Sequence, residues 1–521
     1  MKEADLQSFD TEFAHYLERQ WGASAGVSRL GSRLTAALRE GHSCLPVAIG
    51  ESPAIGLSSQ RRPLVIDGEN LFLQRVWTLE DRVAQAVFRL TQLTPIQLLP
   101  GTVSLAGQLF DAEGPQKLGA FLPFQSGLSV ITGGPGTGKT WVLSRLLALQ
   151  MVQTEGAIRV ALCAPTGKAA QRMAQALQSG SPGAPLPQTL HRLLGLGGPL
   201  SRPRFHAERP LPFDLVVVDE ASMVDLQLMD YLLCALAPTA RLVLLGDAGQ
   251  LPSVDAGRVL GDLVEHLCAH RPSLLVTLTE SRRFVAGQAI GIVARALSQG
   301  NLEGAWPVLR ESTPGKTSCR LLPRPAPATL VSRLLGEFQG FLGCSDPEGA
   351  LEALGQFLIL AAVNDGPWGQ SGLNKALRGL LPFGAPRPVM ITENDAPTGL
   401  ANGDLGVIWT KDGGEVAWFV LEGEPRGFPV ALLPPHQDAF AITIHKSQGS
   451  EFDRLAIVIP EVSDGSQFEL SRELIYTAVT RARHHVTLYA TPEEFVAAAS
   501  TPTVRYSGLT RRLKWWQNQP V

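Results

Sequence analysis

Charge is scarce and balanced in this chain of 521 residues. Only 18% of residues are charged, against a usual ~25%, and 45 Lys and Arg meet 48 Asp and Glu for a net charge of −3. No overall positive field exists to coat a polyanion, so any nucleic-acid binding must come from local placement of cations. Cysteine is also sparse. The six present (Cys44, Cys163, Cys234, Cys268, Cys319, Cys344) include no CxxC pair, which excludes a disulfide scaffold and a zinc ribbon and suits a reducing compartment. Long apolar runs are missing: no window approaches the ~18 uninterrupted apolar residues of a membrane span. The start, Met1-Lys2-Glu3-Ala4-Asp5, carries acids where a signal peptide would carry a basic stretch. A soluble cytoplasmic chain with no membrane association is expected. Repeats and low-complexity tracts are absent too, and 45% hydrophobic content is that of a folded chain. At ~150 residues per domain, three or four domains are expected.

Short β-branched runs alternate with helical stretches from residue 128 onward: Ser129 to Thr132, Arg159 to Cys163, Leu215 to Val218 and Leu242 to Leu245. A second set follows at Phe357 to Val363, Pro388 to Ile391, Leu455 to Ile459 and Val486 to Tyr489. Buried strands separated by helices predict parallel sheets, hence two stacked α/β domains. Residues 1–110 show helical patterning, with Val83, Val87, Phe88 and Leu90 on one stripe, and no chemical motif. They read as a packing or docking domain. Pro323 to Pro327 reads as a loop. From Leu405 to Leu432 short apolar runs are broken by Asp412-Gly413-Gly414 and by Gly423 to Gly427, which predicts a small antiparallel β insertion with hairpin turns.

Gly133-Gly134-Pro135-Gly136-Thr137-Gly138-Lys139-Thr140 fits G-x-x-x-x-G-K-[ST] in full, after the strand Val130-Ile131-Thr132 and before a helix from Trp141 to Gln150. The glycines let backbone N–H groups close around phosphate oxygens at a helix N-terminus. Lys139 then neutralises the β- and γ-phosphates and the Thr140 hydroxyl holds Mg²⁺. At average residue frequencies only ~0.02 such matches are expected by chance in this length. The strand Leu215 to Val218 ends in Asp219-Glu220, where a carboxylate sits beside a P-loop. Asp219 is expected to hold Mg²⁺ through water and Glu220 to orient or deprotonate the attacking water. Leu242 to Leu245 runs into Gly246-Asp247-Ala248-Gly249-Gln250-Leu251-Pro252-Ser253, with Gln250 placed to sense the γ-phosphate; alone, this would be a polar turn after a strand.

In this order the residues resemble superfamily 1 helicases, specifically the RecD family, over roughly 110–495. Gln116-Lys117-Leu118 is similar to the Q motif, with Gln116 reading adenine. Ala164-Pro165-Thr166-Gly167-Lys168-Ala169-Ala170 resembles motif Ia, Thr189-Leu190-His191-Arg192-Leu193-Leu194 motif Ib, Asp219 to Met223 motif II and Gly246 to Val254 motif III. Thr443-Ile444-His445-Lys446-Ser447-Gln448-Gly449-Ser450-Glu451-Phe452 resembles motif V, and Tyr476-Thr477-Ala478-Val479-Thr480-Arg481-Ala482-Arg483 motif VI. Leu278-Thr279-Glu280-Ser281-Arg282-Arg283-Phe284 departs from motif IV: Arg282 stands where the family usually has Tyr, and a guanidinium could stack in its place.

The resemblance implies a fold of two RecA-like P-loop NTPase domains with ATP and Mg²⁺ in the cleft between them. It implies that Lys139, Glu220, Gln250, Arg283 and Arg481 carry hydrolysis. The last two act as arginine fingers, whose contribution can reach roughly 10³ to 10⁵ in rate. The nucleotide would also touch Gln116, Gly133, Gly134, Pro135, Gly136, Thr137, Gly138, Thr140 and Gln448. Contacts to single-stranded DNA would fall on Thr166, Lys168 and His191 of the first domain and on Thr443, His445 and Lys446 of the second. Taken alone, Arg481 would read as a surface cation and His191 as a structural hydrogen-bond donor. The implied domains are 1–110 (helical, partner-docking), 111–277 (first RecA-like, with a hairpin pin near 198–212), 278–394 with 441–521 (second RecA-like) and 395–440 (SH3-like).

Family members with this arrangement move 5′→3′ on DNA. The stretch before the P-loop domain shows no paired helix–hairpin–helix motifs, which favours the alpha subunit of an exodeoxyribonuclease V (RecBCD) complex. That subunit would act in double-strand break repair with RecB-like and RecC-like partners on single-stranded and duplex DNA. A stand-alone RecD-like helicase and a non-motor P-loop scaffold are the alternatives. No nuclease constellation is present. The C-terminal Arg511-Arg512-Leu513-Lys514-Trp515-Trp516 reads as a frayed amphipathic tail, or as a contact for nucleic acid or a partner.

Overall fold

The computed structural model describes residues 8–47, 54–56, 62–178, 183–198, 201–281, 283, 288–310, 318–395, 397–411, 414–421, 423–461 and 470–519. They form two compact units: residues up to 248 with 252–280 and 504–521, and residues 249–251 with 281–503.

The first unit is built on a six-stranded, all-parallel sheet. Its order is Leu275–Leu278, Leu128–Gly133, Arg241–Gly246, Leu215–Val218, Val160–Ala164 and Gln188–Thr189. The P-loop strand and Leu215–Val218 are buried along their whole length, as expected of strands covered by helices on both faces. One face packs the P-loop helix, Lys139–Gln153, through Val142, Leu143 and Leu146. The other packs the helices Leu226–Ala235 and Val259–His270.

Residues before 110 do not stand apart from this unit. Helices Ser8–Trp21 and Ala25–Arg39 pack beside a small four-stranded sheet, which the helical patterning did not foretell. The predicted stripe lies on a longer helix, Gln74–Thr91, whose Val83, Val87 and Leu90 share one core with Leu128 and Val216 of the parallel sheet. The C-terminus joins the same core. Helix Leu509–Gln517 buries Leu509 and Leu513, one helical turn apart, against Gln74–Thr91 and Val259–His270. Arg512 lies over the Trp77 ring at 4.2 Å and pairs with Asp67, while Trp516 Nε1 donates to Asp81 Oδ1 at 3.1 Å. The tail is therefore neither frayed nor part of the second unit. Arg511 and Arg512 are neutralised by Asp67, and Leu509 and Leu513 are covered.

The second unit carries a five-stranded parallel sheet ordered Ser318–Leu322, Ala482–Tyr489, Phe452–Val458, Phe357–Ala361 and Ala441–Thr443. Pro388 to Ile391, expected in that sheet, instead belongs to a five-stranded antiparallel one. There Arg387–Ile391 pairs with Leu405–Lys411 and His436–Asp438, and Gly414–Leu421 and Glu424–Pro429 complete the meander. The reason is visible in its neighbours. Met390 faces the core of the parallel sheet, whereas Val389 and Ile391 face the core of the insertion. Burial on both sides produces the same unbroken apolar run as a central parallel strand. The connection from 392 to 404, without helix among its described residues, then allows only an antiparallel return. The Asp412-Gly413 part of the predicted turn lies outside the described residues.

Among the described residues no helix is long and apolar enough to cross a membrane. The pin expected near 198–212 is, in its described part, a two-residue turn closed by reciprocal hydrogen bonds between His206 and Arg209.

Candidate nucleotide and nucleic-acid site

The phosphate cradle follows from where the chain can turn. Gly133 ends its strand against the neighbouring one: a Cβ there would meet Leu278 O and Thr137 Oγ1 at 2.7 Å. Gly136 and Gly138 take φ of +74° and +94°, the left-handed region that glycine enters without strain. The loop is pinned by Thr137 Oγ1, which donates to Gly134 O at 2.8 Å. Lys139 opens the helix, and its Nζ donates to Gly133 O at 2.5 Å and Gly134 O at 3.2 Å. The ammonium thus lies across the mouth of a loop whose N–H groups head a helix, the arrangement that receives phosphate. Gln116 opens the helix Pro115–Gln125, and its Nε2 lies 3.3 Å from where a Cβ on Gly138 would stand. The Q-motif residue and the P-loop therefore adjoin.

Asp219 and Glu220 follow the buried strand Leu215–Val218 at its C-terminal end. Glu220 is one of two described non-glycine residues at positive φ (+51°), a strained conformation held in part by its own N–H donating to Asp219 Oδ1 at 2.8 Å. Burial and the charge of Glu220 push the Asp219 carboxyl up to about 6, with Lys139 acting in the opposite direction. A carboxylate held at such a cost in a P-loop sheet is suited to a divalent cation, whose charge offsets the burial. Asp219 and the Thr140 hydroxyl are hard oxygen donors of the kind Mg²⁺ takes. The cradle and these oxygens together fit ATP with Mg²⁺.

In the second unit the remaining candidates cluster where strands Phe452–Val458 and Ala482–Tyr489 begin. Arg481 is 2% exposed, and its Nη2 donates to Gln250 Oε1 at 2.7 Å. Gln250 was expected on the first domain. The segment Gly249–Leu251 clusters instead with the second unit. Leu251 enters that unit's apolar core, its N–H donates to Thr477 Oγ1 at 3.0 Å, and its carbonyl accepts from Gln448 Nε2 at 3.2 Å. The buried motif V amide thus supports motif III here. Arg283 donates to Glu451 Oε1 at 2.5 Å. Arg282 and Phe284 lie outside the described residues.

The DNA candidates of the first unit follow adjacent parallel strands, paired Ala164 to Thr189. Thr166 Oγ1 accepts from Ala169 N and Thr189 Oγ1 from Arg192 N, so each motif opens a helix with its own hydroxyl cap. His191 is exposed and Lys168 half-buried. On the second unit Thr443 ends the edge strand, its hydroxyl accepting from Lys446 N at 3.4 Å, and His445 and Lys446 follow on a short 3₁₀ turn. Asn374 holds this strand from its free edge. Its amide donates to Ala441 O at 2.8 Å and accepts from Ala441 N at 2.9 Å, a contact no sequence pattern announced.

Two family models match the chain: an AAA domain over residues 116–256 and a UvrD-like helicase C-terminal domain over 438–489. The RecBCD enzyme subunit RecD of Mycolicibacterium smegmatis is 36% identical over 90% of this chain and 86% of its own length. The chain belongs to the RecD family. An ATP-dependent RecD2 DNA helicase of Deinococcus radiodurans is 32% identical over 74% of this chain and 50% of its own. Among solved structures, a Pif1 helicase from Bacteroides in complex with ADP-AlF3 and single-stranded DNA aligns at 18% identity and a TM-score of 0.41. That alignment covers 81% of this chain and 98% of the other. In this RecD-family chain Lys139 and Thr140 open the P-loop helix, Gln116 lies against Gly138, and Asp219 is within electrostatic reach of Lys139. The sequence motifs did not reveal Glu451 or Asn374 as partners of the arginine and edge-strand sites. The signal for Glu451 was its place within motif V, with no hint of its partner.

Proposed function

We propose that the chain is an ATP-dependent DNA helicase moving 5′→3′, acting as the RecD-type subunit of a RecBCD-like complex with RecB-like and RecC-like partners in double-strand break repair. The observation that carries this reading is the pairing of a complete P-loop and Asp219-Glu220 site with a separate arginine cluster. That cluster joins motif VI to motif III through the hydrogen bond from Arg481 to Gln250. A small-molecule kinase has no use for the second set. The longer match to a RecBCD subunit than to a RecD2 helicase supports the complexed form.

In this reading Lys139 leaves the Gly133 and Gly134 carbonyls for phosphate oxygens, and Thr140 and Asp219 hold Mg²⁺. Glu220 orients the water and accepts its proton, while Gln116 meets the adenine. Gln250, Arg283 and Arg481 report on the γ-phosphate, and Thr166, Lys168, His191, Thr443, His445 and Lys446 contact the DNA strand. ATP supplies the phosphoanhydride whose cleavage drives movement. Contact with single strands through a few cations and caps agrees with a net charge of −3.

Lys139→Ala or Glu220→Gln is expected to abolish DNA-stimulated ATP hydrolysis while DNA binding stays within a few-fold of wild type. Persistence of stimulated hydrolysis in Lys139→Ala would overturn the assignment. Duplexes with a 5′ tail should be unwound and those with a 3′ tail not. Co-purification from the native host with two larger subunits separates the complexed form from a stand-alone helicase.

A further inference from the structure

Three helices of the first unit, Gln74–Thr91, Val259–His270 and Leu509–Gln517, border a cleft of about 20 Å³ that the proposed mechanism leaves unused. An interior of that size admits one small group. Phe88, Leu267 and Leu513 line its walls, and His266, Arg271 and Gln517 bring polar atoms to it. His266 is 5% exposed, and its Nδ1 has no hydrogen-bond partner among the described residues. Such a nitrogen is costly to bury alone. The described groups that act on it all carry positive charge or can gain it. Burial, with His270, Lys514 and Arg271 nearby, pushes the imidazole down to about 4, so it is neutral near pH 7. The helix Gln74–Thr91 adds Thr91 to the lining and no charge. Neither Arg271 nor Lys514 has an ion pair among the described residues, whereas Arg511 and Arg512 on the same C-terminal helix as Lys514 pair with Asp67.

We propose that this cleft receives the carboxylate of an aspartate or glutamate presented by a partner subunit, with one oxygen at His266 Nδ1 and the other toward Arg271 and Lys514. The proposal rests on the reading of the chain as a subunit of a complex. Charge complementarity selects the chemical class. A carboxylate accepts from the planar fork of a guanidinium and from an ammonium, and both stand here without an acid of their own. Its charge also favours a proton on His266, so the nitrogen that lacks a partner becomes a donor to the incoming oxygen. Width selects the source. An acidic side chain ends in a carboxylate on a thin methylene stem, which Phe88, Leu267 and Leu513 can cover. A DNA phosphate is flanked by sugars on both sides and cannot bring its oxygens to the base of a cleft that admits one small group. A lone water would meet Nδ1 and leave both cations without an acid. The C-terminal helix thus gives Leu513 to the core and Lys514 to a contact surface.

The test has two arms. In the first, the full chain alone carries isotope-labelled histidine, the His266 resonance is assigned by its loss in His266→Gln, and acetate is the probe. Acetate is expected to move that resonance saturably and to raise the pH at which it titrates, and Arg271→Ala to weaken acetate roughly tenfold. Methyl phosphate and chloride at equal ionic strength should give no saturable shift. No response to acetate, or an equal response to methyl phosphate, overturns the carboxylate site. In the second arm, the RecB-like and RecC-like subunits of the same host are immobilised and the full chain is bound to them. Arg271→Ala and Lys514→Ala are each expected to weaken binding roughly tenfold, Arg271→Glu further, and acetate to compete with the wild-type chain. DNA-stimulated ATPase and the unfolding midpoint should stay at wild-type values in these variants, which separates a lost contact from a lost fold. If all three variants bind within about twofold of wild type, the docking role is wrong while the complexed reading stands. If the subunits do not bind even the wild-type chain, the complexed reading fails and the partner's carboxylate falls with it.

Discussion

Glu80 should make the first unit's stability fall as pH rises through neutrality. Its side chain is fully buried on the helix Gln74–Thr91. Oε1 accepts from Ser43 Oγ at 2.6 Å, from Gly508 N at 3.1 Å and from Ser507 Oγ at 3.3 Å, whereas Oε2 has no hydrogen-bond partner among the described residues. Burial, which Ser43 and Gly508 oppose and Asp262 reinforces, pushes the carboxyl from 4.5 up to about 7. A proton on Oε2 relieves the charge. Because the folded-state value lies above the unfolded one, the folded chain binds more protons between them. The stabilising contribution is therefore complete below about 4.5 and is lost as pH rises to about 7. At 1.36 kcal/mol per unit the loss amounts to ~3 kcal/mol. Glu80→Gln keeps the Oε1 acceptor and removes the titration. Urea unfolding of the first unit at pH 5 and pH 8 should show the variant close to wild type at the lower pH and more stable, by up to ~3 kcal/mol, at the higher. Asp262, pushed up to about 6 by burial, and Asp230, likewise, act in the same direction but are common to both proteins. Neutralising Glu80 also relieves Asp262 through Ser507, which adds to the gain at pH 8. A difference between the two proteins that is the same at both pH values would refute the reasoning.

Leu513→Ala, in the C-terminal helix, should cost the first unit ~2–5 kcal/mol as a buried leucine lost from a packed core, while the second unit's unfolding transition stays in place. Asn374→Ala leaves the Ala441 N–H and C=O without their side-chain partner. It should lower DNA-stimulated ATPase more than basal ATPase by loosening the strand that carries Thr443, and an equal fall in both would count against that strand's role in DNA contact. Gln250→Ala removes the acceptor from a buried arginine and should lower kcat roughly 10²-fold with ADP affinity retained, measured in steady-state ATPase and calorimetry.

How far the sequence could be read depended on the distance over which each contact acts. Lys139, Thr140 and the glycines of the cradle lie within one loop, so their chemistry and their geometry are written in the same eight residues. The strands Leu215–Val218 and Phe357–Ala361 were legible because burial on both faces leaves an unbroken apolar signature. That same signature misled at Arg387–Ile391, since burial between two different cores looks identical to burial inside one sheet. The C-terminal helix shows the opposite failure. Its alternating cations and aromatics read as a solvated tail because Asp67, Asp81 and Trp77, which neutralise and cover it, lie more than 400 positions away. Charge partners are the hardest to foresee, because a surface lysine and a buried ion pair leave no periodicity behind. Arg283 and Glu451 are 168 positions apart, and Gln250 and Arg481 are 231. The motifs supplied the candidate residues for the chemistry. Which acceptor holds each arginine is a property of the packed second unit. It follows that substitutions at Glu451 and Gln250, rather than at the arginines themselves, separate a side chain's identity from its poise.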